Sequence, residues 1–404
     1  MIFRRVCPAA AVLALAVSSS SLPFAPTSAF ASSASAAAPA APPAGGTAWS
    51  VQRGADALRD TGVTGVAVRV DTPRGTVRAV SGVRSLEDRR PVPQDGPLRL
   101  GSTTKTFVAT VVLQLVGEGR LSLDQTVEEL LPGVVSGNGN DGRTVTVRDL
   151  LRHTSGLSDY VQDVFPDPSA RTYFAHRWTS YRPDELVALA MRHQPGFPAG
   201  SGWAYSNTNY VLAAMIVEKV TGRTWQQQVH DRILRPLGLR DTTAEVTTPF
   251  LPDPHTTNHQ QFAPDGPMVD TTIPYRPFDS GADGSMTGTA RDLNRFFAAL
   301  AGGRLLAPAE LAALRDTVEV PGGGDHPAGT RDGLGVFLTP LSCGGAYLGH
   351  GGSGFGYVVR AATTTDGRRS VTVSAHSRSA DPRTAERQEQ ALSELVDKAL
   401  CRTT

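Results

Sequence analysis

The chain has 404 residues, 19% of them charged, and a formal net charge of +1. This near-neutral balance shows neither a basic stripe nor an acidic tail, so composition gives no support for a nucleic-acid partner. The length is sufficient for a large core and for two packed subdomains.

The first residues have the features of an export signal. Arg4 and Arg5 provide a positive start, residues 9–17 an apolar segment, and residues 29–31 (Ala-Phe-Ala) a small-x-small cleavage site. The apolar segment is much shorter than the roughly 18 residues that a membrane-spanning helix needs. We therefore predict a signal peptide over residues 1–31, a secreted protein and no stable membrane span. The twin arginines are compatible with the general export route and with the route that carries folded proteins.

The next segment is low in complexity. Residues 32–46 are nearly all Ala, Pro, Ser and Gly, a composition that cannot bury enough apolar surface to become ordered. We predict a flexible tether over residues 32–50 and a folded region over residues 51–404. Whether the tether associates with the cell wall is left open.

Strand and helix patterns follow in chain order. The β-branched runs 63–70 and 75–82 flank Asp-Thr-Pro-Arg and predict a hairpin. A core-facing helix beginning at Ser102 is predicted by apolar residues at i, i+3, i+4 and i+7. These residues are Val108, Val111, Val112 and Leu115. Helices are also predicted over 183–192 and 209–221, the second closed by a C-capping glycine at position 222.

Strand patterns return late in the chain, at residues 357–362 and 370–374. A terminal helix follows, with Leu392, Leu395, Val396 and Ala399 on one face. Strands at both ends with helices between them predict a mixed α/β part built from both termini and an inserted helical part. A cleft between the two parts is the expected ligand site.

Two cysteines remain in the mature chain, because Cys7 leaves with the signal peptide. An exported protein matures in an oxidising compartment, so we predict a disulfide between Cys343 and Cys401. Two buried free thiols are the alternative.

The first chemical motif is Ser102-Thr-Thr-Lys105. On a helix, a spacing of three places both side chains on one face. A serine hydroxyl needs a base to become a nucleophile, and a lysine can be that base if its pKa falls toward 7 to 8. The chain has three lysines among 39 cationic residues. Since an arginine cannot lose its proton, a lysine in this background is informative. Taken alone, the motif also fits a helix N-cap beside an exposed lysine.

Two further motifs are compatible with the same chemistry. Tyr205-Ser-Asn207 precedes a helix, where a phenol can pass protons and an amide can position a carbonyl. His350-Gly-Gly352-Ser353 precedes a strand and is expected at the sheet edge. Its glycines would let a substrate approach, and the Ser353 amide could join that of the serine nucleophile as an oxyanion hole. Each motif alone also fits an ordinary helix start or turn.

Together, in this order and at these separations, the motifs resemble the serine β-lactamase-related superfamily, in the branch of class C β-lactamases, exported D-alanyl-D-alanine carboxypeptidases and related esterases. Three further segments support the resemblance: Leu150–Leu157, Tyr205–Tyr210 and Ser285–Leu293. The resemblance covers nearly the whole mature chain.

The resemblance implies an antiparallel sheet flanked by helices with an inserted all-helical subdomain. The α/β part would comprise residues 51–110 and 280–404, and the helical part residues 111–279. It also implies roles: Ser102 as nucleophile, Lys105 and Tyr205 in proton transfer, and Asn207 and His350 in substrate binding. Gly352 and Ser353 would contribute backbone to the substrate site.

One position departs from the family pattern. Many relatives carry a hydroxyl residue between the His or Lys and the Gly, where it helps to hold a substrate carboxylate, and this chain has Gly351 there. Because this hydroxyl is missing, the sequence does not support recognition of a substrate carboxylate or strict carboxypeptidase action.

The predicted function is a penicillin-binding D-alanyl-D-alanine carboxypeptidase, acting on cell-wall peptides and β-lactams as a monomer without a cofactor. Two alternatives are kept: an esterase or amidase for small substrates, and a slow binder of penicillin or wall peptides. A Gly-x-Ser-x-Gly hydrolase is excluded because the chain lacks that motif. His255 and His259 have a metal-like spacing, but prolines nearby disfavour a helix, so we expect loop residues and no metal.

Overall fold

The computed structural model describes residues 49–244, 248–273, 281–321 and 326–402. The predicted signal peptide and the tether up to residue 48 lie outside these ranges. Trp49 and Ser50, which the composition assigns to the tether, belong to the folded unit. Ser50 accepts a hydrogen bond from the Arg53 N–H and so caps the first helix. The tether prediction is therefore wrong for these two residues.

Helices and strands are numbered in chain order within the described residues. The helices are α1 (Val51–Asp60), α2 (Thr104–Gly117), α3 (Val127–Leu130), α4 (Val147–Leu151), α5 (Val161–Val164), α6 (Ala170–His176), α7 (Pro183–Ala190), α8 (Thr208–Thr221), α9 (Trp225–Val229), α10 (Arg235–Leu237), α11 (Ala290–Ala301), α12 (Pro308–Leu314) and α13 (Pro382–Cys401). A 3₁₀ turn, Gly101–Thr103, precedes α2, and a π-helical segment, His230–Leu234, follows α9.

The strands are β1 (Gly65–Thr72), β2 (Gly75–Gly82), β3 (Leu98–Arg99), β4 (Ser136–Gly137), β5 (Asn140–Asp141), β6 (His259–Gln261), β7 (Met268–Asp270), β8 (Thr287–Gly288), β9 (Val318–Glu319), β10 (Arg331–Asp332), β11 (Phe337–Pro340), β12 (Ala346–Gly354), β13 (Tyr357–Thr364), β14 (Ser370–Ala375) and β15 (Ser377–Arg378).

One antiparallel sheet dominates the described part of the chain, with the order β2-β1-β14-β13-β12-β11-β10-β9. The first two strands form the predicted hairpin, paired as far as Thr72 and Gly75. The late strand β14 pairs with β1, and β13 pairs with β14, so both ends of the chain build the same sheet, as predicted.

Helices cover the sheet on both faces through two apolar cores. On one face α1 and α13 pack against the strands, and the predicted apolar face of α13 is buried. On the other face lie α2 and α11, where Phe107 stacks on Phe296 with ring centroids 3.7 Å apart. Because α2 is buried through most of its length, the turn that precedes it is held against the sheet.

Helices α3 to α10 occupy the segment between α2 and the return of the chain to the sheet. The end of α8 is as predicted, because Gly222 adopts a left-handed conformation with φ 68° that favours glycine. The proposed division into two parts stays a prediction: α2 runs through its first boundary, and the second lies at residues outside the described ranges.

A disulfide joins Cys343, in the β11–β12 turn, to Cys401 at the end of α13. It ties the terminal helix to the sheet. Among the described residues, every helix is either too short or too polar to span a lipid bilayer.

The disulfide predicts a measurable stability difference. Its cysteines are 58 residues apart. Closing a loop of that size restricts the unfolded chain, so Cys401→Ser is expected to lower the free energy of unfolding by about 2 to 4 kcal/mol. Thermal unfolding of the purified protein with and without reductant measures this. The double variant lacking both cysteines should match the single variant; an unchanged melting temperature in both would contradict the prediction.

Candidate active site

Ser102 lies in the 3₁₀ turn before α2, so the helix begins two residues later than predicted. Gly101 has a φ of +50°, which favours glycine. A side chain at Gly101 would place its Cβ 2.9 Å from the Ser353 backbone nitrogen. The serine turn therefore lies directly against β12, and the backbone nitrogens of Ser102 and Ser353 belong to neighbouring segments.

Lys105 is fully buried on the first turn of α2. Its Nζ donates hydrogen bonds to the Ser102 Oγ at 3.1 Å, to the Asn207 Oδ1 at 2.7 Å and to the Asp283 carbonyl at 2.6 Å. Burial lowers the pKa of Lys105 to about 8, against the opposing charges of Asp283 and Asp159. A lysine with this pKa can accept the serine proton near neutral pH.

Two carboxylates, those of Asp159 and Asp283, lie near Lys105. Asp159 accepts a hydrogen bond from the Asn207 Nδ2 at 2.8 Å, which orients the amide so that its oxygen faces Lys105. Asp283 accepts a hydrogen bond from the Tyr160 hydroxyl at 2.8 Å, and burial raises its pKa to about 6. Both carboxylates favour the charged lysine, so they limit how far burial lowers its pKa.

Tyr205 lies beside both Ser102 and Lys105. The Lys105 Nζ is 5.0 Å from the centroid of its ring, and His153 stacks on the ring at 4.1 Å. Burial raises the pKa of Tyr205 well above 10, in part offset by a hydrogen bond with Ser102. The phenol is therefore protonated and able to donate a proton to a leaving group. The Ser206 N–H donates to the His153 Nδ1, and burial keeps the pKa of His153 well below 6.5, so this histidine positions Tyr205 as a neutral ring.

The predicted sheet edge is present, although β12 is an inner strand. Within the described sheet, β11 pairs with β12 only as far as Gly349, whereas β13 pairs along it as far as Gly354. The segment from His350 to Ser353 therefore has a strand on one side only. A side chain at Gly352 would collide with the Leu100 carbonyl, which explains why glycine is required where the serine turn meets this edge.

His350 is buried, 4% exposed, and its ring lies 5.1 Å from that of Phe337. Burial and the nearby Lys105 lower the pKa of His350 to about 3. The ring is therefore neutral at physiological pH and supplies no positive charge to the edge of β12.

Gly351 is paired with Arg360 of β13. A side chain at Gly351 would collide with the Arg360 guanidinium, which forms an ion pair with Glu389 at 2.5 Å. The space of the missing hydroxyl side chain is thus filled by a cation that is already neutralised by a partner.

Two cavities meet at the nucleophile. One, of about 380 Å³, extends past Asn207 and Phe355; the other, of about 1110 Å³, extends past Trp203 and His350. Residues shared by both linings are Ser102, Tyr205, Ser353, Arg378 and Ser379. The two cavities form one cleft. We call the smaller cavity the Asn207 half and the larger cavity the His350 half.

The structure brings together all seven of the catalytic and substrate-binding residues predicted from sequence, and it adds three that sequence reasoning missed. Asp159 follows the Leu150–Leu157 motif by two residues, and Asp283 precedes the Ser285–Leu293 motif by two, so both lay just outside recognised segments. Arg378 had no such signal.

The two histidines with a metal-like spacing lie in different surroundings. His255 lies 3.2 Å from Asp253, whereas His259 belongs to β6 and is not the loop residue predicted. The described residues contain no group of three histidine, cysteine, aspartate or glutamate side chains arranged for a metal ion.

Comparisons with known proteins agree with this geometry. The family model Beta-lactamase matches residues 51–395. This chain belongs to the Beta-lactamase family. Its fold is the β-lactamase/transpeptidase-like fold.

Relatives of this Beta-lactamase family member include enzymes and penicillin-binding proteins. It is 38% identical to a D-stereospecific amidohydrolase from Streptomyces sp., with a TM-score of 0.75, covering 84% of this chain and 97% of that one. It is 32% identical to penicillin-binding protein 4 of Amycolatopsis lactamdurans, covering 46% of each chain. Esterase EstB of Burkholderia gladioli is 33% identical over 46% of this chain and 48% of its own. The match spans less than half the length of these two curated relatives.

The amide of Asn207 gives a prediction within this site. Asn207→Asp would place a carboxylate beside Lys105 and opposite Asp159, so the lysine pKa is expected to rise. The midpoint of the kcat/KM profile should move to higher pH, with a loss of about 10- to 100-fold at pH 7. A pH series of initial rates measures it. Asn138→Asp, on a surface turn, is the control; an unchanged midpoint in Asn207→Asp would contradict the assignment.

Proposed function

We propose that this chain is an exported amidohydrolase that forms an acyl-enzyme and cleaves amide bonds next to D-amino acids. Peptides ending in D-alanyl-D-alanine are the first substrate class. The observation that carries the proposal is the similarity to the Streptomyces D-stereospecific amidohydrolase over 84% of this chain, with the Ser102, Lys105 and Tyr205 set intact.

The geometry supports a two-step reaction. Ser102 Oγ attacks the carbonyl carbon while its proton passes to Lys105 Nζ, 3.1 Å away. We expect the backbone N–H groups of Ser102 and Ser353, which belong to neighbouring segments, to stabilise the oxyanion. The C–N bond then breaks as the amine nitrogen takes a proton from Tyr205, which Lys105 reprotonates. Water attacks the ester in the second step, Lys105 accepts its proton, and the serine receives a proton on release.

An amide requires this acid more than an ester does, because an amine must be protonated to leave. The Tyr205 hydroxyl, hydrogen-bonded to Ser102, is placed to be this acid, which supports an amide as substrate. The esterase alternative is supported by the similarity to EstB and by the missing hydroxyl at Gly351. A binder that does not react with its ligand is disfavoured, because a buried lysine in contact with the serine is what formation of an acyl-enzyme needs.

A panel of substrates tests the proposal. Purified protein is expected to release nitroaniline from D-alanine p-nitroanilide and not from the L-enantiomer, and to release D-alanine from an acetylated D-Ala-D-Ala peptide. Nitrophenyl acetate and a cephalosporin complete the panel. Rapid ester hydrolysis with no D-amide hydrolysis would favour the esterase, and covalent labelling by penicillin with no turnover would favour the binder.

Export and oligomeric state belong to the same proposal. Expression of the full chain in a bacterial host should yield secreted protein beginning at Ser32, as determined by N-terminal sequencing. Light scattering on a sizing column should give the mass of one chain. Retention of residues 1–31 would contradict the predicted cleavage.

A further inference from the structure

Arg378, on β15 at the edge of the cleft, is half-buried. Within the described part of the chain its guanidinium has no hydrogen-bond, ion-pair or aromatic partner. Other arginines without such a partner, including Arg304 and Arg368, are exposed to solvent. A partly buried guanidinium loses hydration that no protein group replaces here, so an anion beside it would be stabilised.

Arg378 lies in the cleft, where its charge can contact a substrate. It lines both the Asn207 half and the His350 half, together with Ser102 and Ser353. Its strand is held in place by pairing with β6, where Ser377 and Arg378 lie opposite His259 and Gln260. The backbone of Arg378 is thus held in place, and its side chain lines the same cavities as Ser102 and Ser353 of β12.

The other cations of the cleft are already occupied. Arg360 pairs with Glu389, Lys105 is enclosed by three acceptors, and His350 is neutral. Glu386 lines the His350 half but forms no ion pair with Arg378 among the described residues. Of the described arginine and lysine side chains at the cleft, Arg378 is therefore the one whose charged group is available to an incoming anion.

We propose that Arg378 binds a carboxylate of the substrate and replaces the hydroxyl contact that Gly351 removes. The guanidinium offers donors in a fork that matches a carboxylate. This inference rests on the proposed function and refines it: the amide bond cleaved would precede a residue with a free carboxylate, which departs through the His350 half beside Tyr205.

The test compares two substrates that differ only in that group, N-acetyl-D-Ala-D-Ala and its C-terminal amide. The ratio of kcat/KM for the acid to that for the amide is expected to fall about 10- to 100-fold in Arg378→Gln, through KM. Arg378→Lys, which keeps the charge without the fork, should recover part of the ratio. Arg304→Gln is the matched control on an exposed arginine and should leave it unchanged.

Two outcomes would overturn the proposal. An unchanged ratio in Arg378→Gln, including equal losses on acid and amide, would remove the carboxylate contact. A fall in the ratio in Arg360→Gln but not in Arg378→Gln would assign the contact to the other arginine. A diacid, N-acetyl-D-Ala-D-Glu, tests which carboxylate is bound: an effect of Arg378→Gln that is confined to this peptide would assign the contact to the side-chain carboxylate and overturn the contact with the C-terminal one.

A binding measurement separates this proposal from the proposed function. Ser102→Ala cannot turn over, so titration calorimetry with the acid and the amide gives the carboxylate preference directly. That preference should be lost when Arg378→Gln is added. If no D-amide is hydrolysed by the wild type, the proposed function fails while this comparison still decides the role of Arg378.

Discussion

Replacing Ser102 with alanine is expected to lower kcat by about 10⁴-fold or more and to abolish covalent labelling by a fluorescent penicillin. The reason is that the alanine has no nucleophile, and the water that remains must attack an unactivated amide. Gel fluorescence and intact mass measure the label, and nitroaniline release measures the rate. The fold should be unaffected, since the removed hydroxyl is held only by Lys105 and Tyr205.

The control for this variant is Ser201→Ala, on an exposed turn where the hydroxyl contacts only the Pro198 carbonyl. It should label and turn over at the wild-type rate. Persistent label on Ser102→Ala, or label at another serine located by peptide mapping, would show that the nucleophile is misassigned.

Lys105→Met is expected to lower kcat/KM by about 10³-fold or more, because the serine loses its proton acceptor. Methionine matches the length of the buried stem without a charge. The substitution leaves the buried Asn207 and Asp283 oxygens without a donor, so the free energy of unfolding is expected to fall by about 1 to 3 kcal/mol. Loss of activity in a variant that circular dichroism shows to be folded at the assay temperature is therefore the diagnostic result.

The pH dependence of the wild type gives the same lysine a second test. The reacting form is the neutral amine, and burial lowers the pKa of Lys105 to about 8. Activity should rise about tenfold per pH unit below that value and level off above it, read from kcat/KM. Lys219→Met, on an exposed lysine at the end of α8, should reproduce the wild-type profile. A flat profile between pH 6 and 9 would contradict the role of Lys105.

The sequence was sufficient to predict contacts between residues that are close together in the chain. Ser102 and Lys105 are three positions apart, and helical geometry alone brings them together. The hairpin β1–β2 and the apolar face of α13 were equally local. The order of the motifs then identified the family and the fold.

Other features depend on pairing between distant segments. Asp159 orients Asn207 only because the start of α8 packs beside the α4–α5 connection, and Asp283 reaches Lys105 across 178 positions of sequence. The sequence also shows that Gly351 lacks a hydroxyl, but not that the strand register places Arg360 in that space. Contacts between residues on different strands leave no pattern in the spacing of residues along the sequence.

The scarcity of lysine has a practical consequence for coupling chemistry. Reagents that react with primary amines would find Lys219 and Lys398 on the outer surface, whereas Lys105 is fully enclosed and guanidinium groups do not compete. Lys219 lies about 16 Å along α8 from the end that borders the cleft. The protein could therefore be immobilised or tagged through these two side chains while its cleft faces the solution.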